Sequence, residues 1–225
     1  MRTRVPITNS FVNVRVPVRY CAEQFENNET LISQVLKGLK RAMAGEFSRE
    51  LSVKVFEGQK RSVLRGAQQG GNTAICFRRL LFDVSGNPRT LLAIGERKHF
   101  ETDHVTLTPG PASEVKTVQR IFRLFVHSRM PRQHIAELLN KEGRLNSAGN
   151  LWTCNGVLRV LTNEKYIGNL IFGRTSKKLQ GPKFHNPPKS WIRANGALKG
   201  IVYPELFASA QRKLGNPWWH FTGNQ

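Results

Sequence analysis

Cysteine is scarce: Cys21, Cys76 and Cys154 lie far apart and form no C-x-x-C pair. That spacing supports neither a disulfide framework nor a four-ligand zinc site, so three reduced thiols are expected. Long apolar runs are missing as well. No stretch approaches the roughly 20 residues of a membrane helix, and the opening MRTRVPITNSF lacks the apolar centre of a signal peptide. A cytoplasmic protein without membrane contact is the expectation. The six histidines include no H-E-x-x-H or comparable pair, and no two carboxylates stand in a recognisable catalytic motif. No cofactor or metal is therefore predicted. Acid is short relative to base: 15 Asp and Glu face 35 Lys and Arg, a formal charge of +20 on 225 residues.

Such an excess calls for a polyanion. Neutralising phosphates with Lys and Arg releases condensed counterions, which gives strong, salt-sensitive affinity. RNA or an anionic membrane surface would satisfy the same arithmetic. The cations recur from Arg2 to Arg212 among Leu, Ile, Val and Phe, with 39% apolar residues overall, so a folded basic chain is expected rather than a disordered tail.

Along the chain, FVNVRVPVRYC alternates Val12, Val14, Val16 and Val18 like a half-buried strand, which Pro17 confines to a sheet edge. The period then lengthens. Ile32, Leu36, Leu39, Met43, Phe47, Leu51 and Val55, spaced by threes and fours, predict one long helix capped by Asn28 or Thr30 and ended by Gly66. Off that stripe lie basic residues including Arg49, Lys60, Arg61 and Arg65, either a solvated surface or phosphate partners. GAQQGGN reads as a linker. ICFRRLLFDVSGNPRTLLAIGE predicts two short strands around a turn at Ser85 to Pro88, with Arg78 and Arg79 as further phosphate candidates, and HVTLTPGP as the run-up to a helix.

Val115, Val118, Ile121, Phe122 and Phe125 share one face of a predicted core helix over Glu114 to His127. A second helix starts at Pro131 and stops at Gly143, and a third is capped by Thr153. These two resemble a helix-turn-helix with a long turn. The third helix would offer Asn155 and Arg159 to base edges, unless they simply face water. A basic hairpin or loop with Arg174, Lys177 and Lys178 follows, then a short helix over PELFASAQRKL. Tyr166, Trp152 and Trp191 read as core or hinge aromatics.

The string HIAELLNKEGRLNSAGNLWTCNGVLRVLTNEKYIGNLIFGRTS resembles the recombinase domain of the large serine recombinases. The resemblance rests on Ile135, Ala136, Leu139, Asn140, Gly143, Trp152, Thr153, Val157, Leu161, Asn163, Tyr166, Ile167, Gly168 and Asn169. KGLKRAMAGEFSRELSVKVFEGQ looks like that family's connecting helix, and NPPKSWIRANGALKGIVYPELFASAQRKL like its downstream continuation. The resemblance implies an α+β, mainly helical fold: a remnant of a catalytic domain over 1–29, a connecting helix over 30–66, and over 67–225 a DNA-binding domain of helices and short strands with a helix-turn-helix-like core.

It further implies DNA binding in site-specific recombination or integration for a mobile element. The partner would be double-stranded DNA, in a dimer that becomes a tetramer at synapsis. The family's nucleophilic serine sits in a Y-x-R-x-S element that this sequence does not show. TAICFRR stands where relatives carry P-x-G-Y, and no cysteine cluster forms a zinc ribbon. Ser10 follows Ile-Thr-Asn, not an arginine pattern, and reads as a loop serine. No catalytic residue is assigned: the chain is expected not to cleave DNA alone. The alternative is a truncated regulatory protein that dimerises through its long helix with a full-length recombinase.

Overall fold

The computed structural model describes residues 31–70, 73–93, 95–98, 100, 102–177 and 181–215. The predicted strand over 11–18, Ser10 and both candidate caps, Asn28 and Thr30, lie outside the described residues. The chain divides into two units, Met1–Phe56 and Glu57–Gln225.

In the first unit the described residues form the larger part of helix α1 (Leu31–Leu64). Its side chains support one another locally: Glu46 pairs with Arg49, and Glu50 with Lys54, at the spacings that bring helical neighbours together. The apolar stripe read from the sequence is exposed throughout, from 44% at Leu36 to 71% at Ile32.

The second unit opens on the last turns of α1, where Val63 is buried. Gly66, at φ +86, turns the chain out of the helix, and the Gly66 and Ala67 amides donate to Val63 and Ser62 carbonyls. The linker reading needs correction at this end. Ala67 is buried, Gln68 N–H donates to Val105 O at 2.7 Å, and Thr106 Oγ1 donates to Gly66 O at 3.0 Å. Residues 66–68 are thus an edge of the packed unit.

β1 (Phe77–Phe82) pairs antiparallel with β2 (Pro88–Leu92) through the turn predicted around Gly86, where the Asp83 carboxylate accepts from the Asn87 amide at 2.9 Å. A third strand, β3 (His104–Pro109), lies on the other edge of β1, with Arg79 opposite Leu107 and Leu81 opposite Val105. The sequence reading passed over this strand as a helix approach. Its alternation places Leu107 with Phe77 and Leu81 in the core.

Helices α2 (Ala112–Val126), α3 (Arg132–Lys141) and α4 (Cys154–Leu161) follow as expected. α2 buries Val118, Ile121, Phe122 and Phe125. A 3-10 turn (Glu164–Ile167), strands β4 (Leu170–Phe172) and β7 (Ile192–Ala194) paired antiparallel, the small hairpin β5 (Thr175–Lys177) and β6 (Lys183–His185), and α5 (Pro204–Leu214) complete the unit. The architecture is α+β and mainly helical.

One close approach needs glycine. Gly168 sits at φ +95 with its carbonyl accepting from Leu198 N–H, and a Cβ there would lie 2.6 Å from Leu198 O. Gly143 also has positive φ, +67, but faces open space. Gly168→Ala is expected to cost about 2 to 4 kcal/mol, strain plus overlap, against about 1 kcal/mol for Gly143→Ala. Urea unfolding of the two variants checks the order; equal losses would contradict the packing described.

Candidate nucleic-acid interface

Recognition by a short helix requires that helix to be held rigidly and to present uncommitted polar groups. α4 meets both conditions. Val157, Val160 and Leu161 bury one side of it. Thr153 Oγ1 accepts from Gly156 N–H at 3.0 Å and caps its first turn. At the far end the buried Gln211 amide, from α5, donates to Leu161 O.

The connection from α3 is long but tied. Asn140 bridges it, accepting from Trp152 N–H at 2.7 Å and donating to Trp152 O at 2.9 Å. Within the loop Asn146 Oδ1 accepts from the Ala148 and Asn150 amides, and Gly149 takes φ +75 to close the turn. Asn140, Trp152 and Thr153, three of the motif residues, therefore position α4 through backbone contacts. Asn155 and Arg159 stand one turn apart on its exposed side. Neither has a hydrogen bond or ion pair among the described residues.

The family model described as Recombinase matches residues 112–216, from the first turn of α2 to just beyond α5. Residues 112–216 are a recombinase domain. No curated protein matches the chain. The domain ties the protein to site-specific recombination and makes DNA its implied partner.

Around the recombinase domain the cations read from the sequence fall into two groups. Some are already engaged. Arg78 spans the Glu114 carboxylate with both terminal nitrogens, and that carboxylate also takes the Ser147 hydroxyl at 3.0 Å. Ser147 Oγ in turn accepts from Cys76 N–H at 3.1 Å. Glu114 thus joins β1, α2 and the α3–α4 loop. Cys76 sits at φ +64 beneath this network, and burial, with Glu114 nearby, pushes its thiol up to about 12, so it stays protonated. Arg79 donates to the carbonyls of Ala93 and Glu96 at 2.6 and 2.7 Å. Arg49 pairs with Glu46, and Lys60 with Glu57 at 3.4 Å.

The second group is open. Arg61 and Arg65 are exposed at the end of α1 without an ion pair among the described residues, and Lys177 is exposed on β5. Arg174 is exposed and lies 5.0 Å from the centre of the Trp191 ring. Lys178 lies outside the described residues.

Two further cations escaped the sequence reading. Arg193 lies 5.3 Å from the same ring and reaches Glu164 at 3.5 Å. Lys165 is half-buried, and burial first, then Arg174, pulls its ammonium down to about 8. Their only sequence signal is local: between Glu164 and Glu205 there is no Asp or Glu but eight Lys or Arg.

The role of Glu114 gives a direct test. Glu114→Gln keeps the side-chain volume but removes the charge that Arg78 spans, and is expected to lower unfolding free energy by about 1 to 2 kcal/mol. Urea denaturation measures it; an unchanged midpoint would show that the network does not hold the loop.

Proposed function

We propose that this chain is the DNA-recognition part of a serine recombinase, acting in the cytoplasm on a mobile element's double-stranded target. α4 enters the major groove. Asn155 and Arg159 read base edges, Arg159 suited to guanine and Asn155 to adenine. Arg61, Arg65, Arg174, Lys177 and Lys178 contact phosphates. Arg49 and Lys60 join them when DNA outcompetes their surface carboxylates, since exposed ion pairs are weak. Arg78 and Arg79 add to the positive field while holding the scaffold. The observation that carries this reading is the free Asn155–Arg159 face on a helix clamped at both ends, inside a recombinase domain.

Residues 1–29 would be the end of a catalytic domain, 30–66 the connecting helix and 67–225 the DNA-binding domain. On this reading the chain locates the site, and cutting depends on a nucleophile that none of its assigned residues supplies. A second reading concerns α1. Its exposed stripe from Ile32 to Val55 suits pairing with a second recombinase chain in a dimer, or in a synaptic tetramer.

With about six phosphates contacted, the log-log dependence of DNA affinity on salt should have a slope near −5. Arg159→Ala should cost about 1 to 3 kcal/mol on cognate DNA and little on random duplex. Equal loss on both would make Arg159 a backbone contact and remove α4 as the reader. For α1, sedimentation at several concentrations should show a dimer; a strictly monomeric protein would contradict the pairing.

A further inference from the structure

Across the β5–β6 hairpin Lys177 stands directly opposite Lys183, and Thr175 opposite His185. Strand alternation puts these four residues on a common side. Like charges directly opposed in an antiparallel pair destabilise it. No carboxylate between Glu164 and Glu205 relieves the repulsion from within this segment.

The hairpin leads into an ordered aromatic mount. Trp191 Nε1 donates to Asn186 O at 2.9 Å, and Asn186 returns its side-chain amide to Gly173 O at 2.6 Å and its backbone N–H to Arg174 O at 2.9 Å. The indole so fixed carries Arg174 and Arg193 against it at 5.0 and 5.3 Å. Pairing of β4 with β7 sets Arg193 opposite Ile171, next to the turn that bears Glu164 and Lys165. Glu164 is buried and shared between Arg193 and the Asn169 amide. A single carboxylate therefore serves both Arg193 and Arg174.

We propose that Arg174 and Arg193 on Trp191, extended by Lys177 and Lys183, form a clamp for the DNA phosphate backbone, distinct from the α4 face. The proposal rests on DNA being the partner. Guanidinium groups mounted on a fixed ring lose less freedom on binding than free side chains, and they match phosphate oxygens in pairs.

The experiment uses the full chain and a mixed-sequence 30-bp duplex, followed by fluorescence anisotropy across salt. Failure of the unsubstituted chain to bind overturns the DNA reading itself. Given binding, the Lys177→Gln/Lys183→Gln double variant should lower the salt slope by about 2 and Arg174→Gln by about 1, with urea midpoints near that of the unsubstituted chain. Lys116→Gln, which removes an exposed charge from α2, should leave the slope in place. A chain that binds but keeps its slope in the hairpin and Arg174 variants, or loses as much with Lys116→Gln, overturns the clamp.

Discussion

The recombinase domain depends on the burial of a single tyrosine. The Tyr166 ring is almost wholly enclosed, stacked on Phe77 of β1 at 5.8 Å and edge-on to Phe122 of α2 at 6.2 Å. A phenol buried to this degree needs an acceptor. It finds one in Ile75 O at 3.2 Å, just ahead of β1. Burial pushes the hydroxyl's pKa far up, so it remains a donor. The Tyr166 carbonyl closes the other side by accepting from both Ile201 and Val202 N–H, at 2.8 and 3.0 Å. Sheet, central helix and C-terminal loop thus converge on one residue.

From that point the constraint spreads to α4 and the Trp191 cluster. Phe122 packs on Phe207 of α5, and α5 supplies the Gln211 amide that engages Leu161 O. The other end of α4 is set by Asn140 and Thr153. Tyr166 also belongs to the short turn that bears Glu164 and Lys165, so the same core that fixes α4 fixes the approach to the Trp191 cluster. The Asn155–Arg159 face and the Trp191 cluster are built on one packed centre, which lets both be rigid without large size.

Much of the fold was legible because helices write their burial in a period of 3.6. α2, α3 and α4 were all read from Val, Ile, Leu and Phe spacings; Thr153 marked the start of α4, Gly143 the end of α3 and Gly66 the end of α1 by local chemistry alone. β3 was missed because six residues ending in Pro109 look like an approach to the next helix. Only its pairing with β1, 22 or more residues earlier in the chain, makes it a strand. Residues 66–68 were misjudged for a similar reason: their composition is that of a tether, and their order comes from hydrogen bonds to β3. The candidate site divides along the same line. Asn155 and Arg159 follow from one amphipathic turn, whereas the commitments of Arg78 to Glu114 and of Arg79 to Ala93 and Glu96 are tertiary. So is the meeting of Arg174 and Arg193 on the Trp191 ring, to which the β4–β7 pairing brings Arg193.

The most direct measurement of whether this scaffold presents α4 to DNA is arginine-modification footprinting of the full chain, with and without a bound duplex, read by mass spectrometry residue by residue. The account predicts that Arg159 reacts freely in the unbound protein and becomes protected when duplex is bound. Arg159 modified at the same rate in both states, while the protein is demonstrably saturated with DNA, would contradict it.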